Sequence, residues 1–125
     1  MPTTIFRVQD KYGRGPWKPG FSESWVEDRE DLDNLKAWPL EDVRRIAIEA
    51  AKHDLCLGSG CKSLEQLRRW FTESEFRNLS ELGYRAVALK GAIIVREDET
   101  QCLFARGRPH RYGAREVLLY AKRDR

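Results

Sequence analysis

Lys62-Ser63-Leu64-Glu65-Gln66-Leu67-Arg68-Arg69-Trp70-Phe71 is the stretch on which the fold turns. Ser63 ahead of an apolar run, with Gln66 three residues later, is a capping-box pattern, and Leu64, Leu67 and Phe71 fall on one helical face. Thr72 and Glu75 repeat the pattern at once. Phe76, Leu79 and Leu82 line the second apolar face, and Gly83 suits the left-handed position after a helix. Two short helices are therefore expected to abut near residue 72, with a bend between them. Upstream, Ile5 to Val8 is a β-prone run carrying Arg7. Gly13, Gly15, Pro16, Pro19 and Gly20 follow as a loop that carries Trp17. A strand with an Arg, a Gly/Pro loop with an aromatic and a Ser-capped helix ending in Trp-Phe is an order that suits a small nucleotide-binding fold.

The rest of the chain fills in around these elements. The acidic run 27–33 reads as a solvated loop or a weak helix. Leu40 to Lys52 reads as a helix, because Val43, Ile46, Ala47 and Ala50 keep helical spacing. Pro39 suits its first turn, and Glu41 and Asp42 complement the positive end of its dipole. Gly58-Ser59-Gly60 reads as a break. After Gly83 the period becomes that of strands: Tyr84–Leu89, Ala92–Arg96, Gln101–Arg106 and Glu116–Tyr120, with Glu97-Asp98-Glu99-Thr100 as a hairpin turn. Strands without intervening helices predict an α+β fold, one domain over residues 1–125 with a split antiparallel sheet and two or three short helices.

With 125 residues there is room for one core. No apolar run is long enough to cross a bilayer. No basic-then-apolar leader opens the sequence, and three cysteines cannot all pair within one chain. These features point to a reducing cytoplasm and no membrane partner. Residues 1–62 hold 10 Lys/Arg and 11 Asp/Glu, whereas residues 63–125 hold 13 and 9. The surplus gathers at Arg106, Arg108, Arg111 and Arg115, too little acid overall for a mimic of DNA.

Three constellations carry chemistry. The first is Arg7, Trp17, Ser63 and the pair Glu99/Gln101. The second is His53, Cys56, Cys61 and Cys102, whose spacing is compatible with zinc. It lacks a Cys-x2-Cys pair, so we expect no metal and three free thiols. The third is the segment 106–115, whose four Arg with His110 and Tyr112 suit an acidic protein partner, or phosphates with a base stacked on Tyr112. A bland reading stands beside each: Arg7 as a surface partner of Asp10, Trp17 as a loop packed on the core, Ser63 as a helix cap, and 106–115 as a solvated loop. No P-loop, nucleophile elbow or His-Glu-x-x-His motif is present.

In its strand Arg, Gly-Pro-aromatic loop, Ser-Leu-Glu-Gln-Leu-x-x-Trp-Phe helix and late acidic strand, the chain resembles the ADP-ribosyltransferase superfamily and the small phage and prophage proteins that share this pattern. The resemblance covers about residues 5–25 and 60–120. It implies NAD as cofactor: Arg7 on the phosphates or ribose, Ser63 at a ribose hydroxyl and the strand edge, Trp17 or Tyr12 on the nicotinamide, and a carboxylate facing the oxocarbenium-like charge. This chain departs from the family pattern by reading Glu99-Thr100-Gln101 where the superfamily places Glu or Gln, any residue, then Glu. Catalysis therefore falls to Glu99 or is lost. The resemblance further implies a counter-defence factor, such as an anti-CRISPR inhibitor, acting on a host protein complex or a nucleic-acid-bound defence complex. It would work through ADP-ribosylation or by binding alone. The alternative is a nucleic-acid-binding module built on 106–115.

Overall fold

The computed structural model describes residues 3–18 and 20–121, except for the side chains of Asp33 and Asn34. Pro19 of the expected loop lies outside them. Among the described residues, five strands and three α-helices follow in the order β1 Thr3–Gln9, α1 Leu40–Lys52, β2 Cys56–Gly60, α2 Leu64–Trp70, α3 Glu73–Glu81, β3 Arg85–Glu97, β4 Cys102–Arg106 and β5 Arg115–Glu116. Short 3-10 turns at Ser22–Ser24 and Glu30–Asn34 punctuate the long connection from β1 to α1. The architecture is α+β with an antiparallel sheet, as the pattern of the sequence predicts.

The sheet runs β1-β3-β4-β2, with β5 added to β3. The two expected strands Tyr84–Leu89 and Ala92–Arg96 are one strand, β3. Gly91, at φ +78°, marks the change of partner along it. Residues before it pair mainly with β1, and residues from Ile93 onward pair with β4. Of the run Glu116–Tyr120, Glu116 joins Arg115 in β5 and Val117 adds one backbone bond to the Ala86 carbonyl at 2.9 Å, while Leu119 is buried beyond the ladder.

The Gly58-Ser59-Gly60 segment is not a break. It forms the last three residues of β2, paired with Phe104, Leu103 and Cys102 on β4. Glycine is required there by close approach. A Cβ at Gly60 would lie 2.8 Å from the Phe6 carbonyl oxygen. That clearance lets Phe6 and Cys61 exchange backbone hydrogen bonds of 2.7 and 2.8 Å, which joins the end of β2 back to β1.

Both helix caps form. Thr72 and Glu75 make the full reciprocal box. Ser63 accepts from the Gln66 N–H at 3.1 Å, but the Gln66 side chain accepts from the Lys62 N–H at 2.9 Å, one residue earlier than a true box requires. The acidic stretch is tied down where Glu27 and Arg29 meet the end of α2 and the start of α3, Arg29 donating to the carbonyls of Arg69 and Trp70 and Glu27 accepting from the Thr72 hydroxyl. Glu75 is fully buried, accepts from the backbone N–H groups of Glu27 and Thr72, and faces Arg29 at 3.5 Å. Alternation along β1 then divides the interior. Val8 packs with Trp25, Leu67, Phe71 and Leu79 in one cluster, and Ile5 with Leu89, Cys102 and Phe104 in another.

Candidate functional site

Arg7 is a cation on the buried side of a strand. It is 8% exposed, and among the described residues no carboxylate lies within ion-pair distance of it. Its Nη2 reaches the Gly13 carbonyl at 3.4 Å, a long bond, and its Nε has no partner. Burial pulls its pKa down to about 10, with Asp10 returning part of the loss, so it stays charged at neutral pH. Burying a guanidinium without a carboxylate partner is costly, and that makes Arg7 the candidate group of this site.

The surroundings of Arg7 fit that reading. It lines a cavity of about 560 Å³, within the range of about 300–1,000 Å³ usual for ligand pockets. The backbone of β2 from Leu57 to Gly60 forms one wall, and the loop Gly13–Lys18 another. Gly58 is the contact point: a Cβ there would lie 2.6 Å from Arg7 Nη1 and 2.7 Å from His110 Nε2. Trp17, Trp38, Trp70 and Phe71 supply aromatic surface. The Trp17 ring centroid stands 4.6 Å edge-on from Trp25 and 5.9 Å from Trp70, so the core fixes this half-exposed indole in place. The buried Trp38 Nε1 has no partner. Arg14, Lys18 and His110 add positive or protonatable groups, and no Asp or Glu lines the cavity among the described residues.

The loops that deliver these side chains are held locally. Asp10 Oδ1 accepts from the N–H groups of Tyr12 and Arg14, both at 2.9 Å, and Gly13 sits at φ +84°, so the chain reverses directly after β1. His110 arrives from the far end of the chain. Its Nε2 donates to the Leu57 carbonyl at 3.0 Å, which leaves the buried Nδ1 without a partner. Burial, with Arg7 and Arg106 nearby, lowers its pKa against the lift from Leu57, so the imidazole is neutral at pH 7.

The structure brings together Arg7, Trp17 and Gln101. The last is buried and donates from Nε2 to the Lys36 carbonyl at 2.7 Å. It does not bring in Ser63, whose hydroxyl caps α2, or Tyr12, which is 54% exposed outside the cavity. Glu99 is exposed at the hairpin tip. Asp98 Oδ1 gathers the N–H groups of Thr100 and Gln101 there, and the Glu99 carbonyl accepts from Gln66 Nε2. Gln101 thus takes the inward position and Glu99 the outward one.

Arg106 corrects the reading of the basic segment. It is buried, and it donates to the carbonyls of Lys90 at 2.9 Å, Pro109 at 3.0 Å and Tyr112 at 2.7 Å, so it braces the loop from inside. Arg108, Arg111 and Arg115 are exposed. The zinc spacing does not become a cluster. His53 is exposed at the end of α1 beside Glu49, Cys56 starts β2, and Cys61 and Cys102 are buried thiols whose pKa values burial raises to about 12 and about 11. All three cysteines are free, and no three His, Cys, Asp or Glu gather as a metal site among the described residues. No described helix is long and apolar enough to cross a membrane.

His110, Trp38 and Gly58 escaped the sequence reading as members of this cavity. Only alternate glycines in a strand, a sign of close approach, pointed to any of them. No curated protein and no solved structure matches the chain. Residues 1–117 match the model of the bacteriophage T4 Y00F protein family, and the chain belongs to that phage family.

Proposed function

We propose that this phage protein binds an anionic, ring-bearing ligand of the NAD class in the Arg7 cavity. We further propose that it acts on a host protein complex as a counter-defence factor by binding rather than by turnover. The observation that carries the ligand is Arg7, a buried guanidinium without a carboxylate, on the wall of an aromatic cavity. Arg7, Arg14 and Lys18 would hold phosphates, and Trp17 or Trp38 would meet a ring. NAD would bring a glycosidic bond whose cleavage needs nearby negative charge, and this cavity has none among its described lining residues. Binding without cleavage is therefore the better-supported reading. Membership in a phage family supports a role against a host assembly, and the geometry speaks to the ligand alone.

Tryptophan fluorescence and calorimetry with NAD, together with a nicotinamide-release assay, test this. Saturable binding without release is expected. Trp17→Ala and Gln101→Ala should weaken binding, and Glu99→Gln should leave it unchanged. Failure of NAD to bind the folded parent would remove the ligand reading, and nicotinamide release abolished by Glu99→Gln would restore catalysis.

A further inference from the structure

Two loops distant in sequence pack side by side. Gln9 Nε2 donates to the His110 carbonyl at 2.8 Å, and Gly13 lies so close that a Cβ would stand 2.8 Å from the Arg111 nitrogen. Arg106 holds the carbonyls of Pro109 and Tyr112 from beneath. The turn after β1 and the loop after β4 thus form one braced surface. It presents Lys11, Arg14, Arg108 and Arg111 with two half-exposed rings, Tyr12 and Tyr112. Each ring carries its own cation. The Arg14 guanidinium stands 4.8 Å from the Tyr12 centroid, with Lys11 at 5.1 Å, and Arg111 stands 4.7 Å from Tyr112. The adjacent carboxylate, Asp10, is committed to the backbone of its own turn and to Arg14 at 3.8 Å.

From this placement we infer that the paired loops bind single-stranded nucleic acid, with bases stacked on Tyr12 and Tyr112 and phosphates at the four cations. An acidic polypeptide would use the cations and leave the rings without a role. A duplex would hide the base faces that the rings fit. Bases on aromatic platforms flanked by phosphate-binding cations are how single strands are held without sequence preference. The bracing from Arg106 and Gln9 sets the rings before the strand arrives, which lowers the ordering cost.

Fluorescence anisotropy with a labelled oligothymidylate, the matching duplex and polyglutamate, across a salt series, tests this on the full chain. Four phosphate contacts predict a log–log salt slope near about −2.8, from roughly 0.7 per contact on a single strand. Arg111→Gln should reduce that slope by about 0.7. Tyr112→Ala should weaken the single strand about fivefold or more, and Tyr112→Phe should restore it, since stacking needs only the ring. Circular dichroism of each variant separates lost binding from lost fold. The inference is overturned by absence of single-strand binding at low salt, by equal affinity for the duplex, by polyglutamate competing at equal charge, or by a folded Tyr112→Ala variant with parent affinity.

Discussion

Replacing Arg106 by alanine should destabilise the protein far more than replacing Arg108, two residues away. Arg106 donates three hydrogen bonds, to Lys90 on β3 and to Pro109 and Tyr112 in its own loop. Each bond from a charged donor is worth about 1.5–3 kcal/mol. The sum overstates the loss, because the loop can turn two of those carbonyls to water once the side chain is gone. Part is also offset by release of a buried guanidinium, whose pKa burial holds below its usual value. A net loss of about 3 kcal/mol is therefore expected, equal to one strong bond and some packing. For 125 residues the unfolding entropy is roughly 0.26 kcal/mol/K, so Tm should fall by about 11 °C. Arg108→Ala removes an exposed charge and should change stability by no more than about 0.5 kcal/mol. Arg106→Lys should recover little, since an ammonium cannot reach three carbonyls in the planar fan that a guanidinium does. Differential scanning calorimetry on the three variants is the assay. An Arg106→Ala variant melting within about 3 °C of the parent, or an Arg108→Ala variant falling as far, would refute the assignment of Arg106 to the loop's interior.

Three further outcomes follow from the site and its supports. Gly58→Ala puts a methyl where Arg7 and His110 sit, and it should cost about 1–3 kcal/mol and abolish NAD binding, measured by melting and calorimetry. His110 has a folded pKa below its ordinary 6.5, so the unfolded chain binds its proton first. Stability from this group is full above the ordinary pKa of 6.5 and is lost as pH falls below it, so His110→Gln should flatten the fall of the denaturant midpoint on the acid side of about pH 6.5. Glu75→Gln turns one of two buried acceptors into a donor facing a backbone N–H and removes the charge opposite Arg29. Urea unfolding should show a loss of about 3 kcal/mol or more.

Elements whose cause is local were legible in the sequence. The bounds of α1 and the box of Thr72 and Glu75 depend on neighbours within four residues, and both stand as read. Elements whose cause is distant were not. Gly58 and Gly60 look like a break because their composition opposes a strand, yet they are glycine because Arg7, His110 and the Phe6 carbonyl press against them. Gly91 looks like the end of a strand and instead sits where one strand changes partners. In the cavity, Arg7 and Trp17 announced themselves by residue type and order. Ser63 did not separate from its role as a cap, which its spacing to Gln66 already explained. Arg106 and Arg108 are indistinguishable by composition. One points inward because the loop closes over it, and no pattern along the chain records that closure.

The closure of β2 onto β1 through Phe6 and Cys61 has a consequence in time. The first strand in chain order finds its ladder partner on β3 some 76 to 89 residues later, and the bridge at Cys61 secures only one of its residues. At about 5–20 residues per second, translation leaves β1 without that ladder for roughly 4–18 s. Ile5, Phe6 and Val8 spend that interval on a nascent chain with unpaired edges, and non-local pairing of this kind is slow even once both strands exist. An apolar strand that waits with unpaired edges is exposed to pairing with other chains until β3 emerges, so this order of pairing makes β1 the segment most open to misassembly during synthesis.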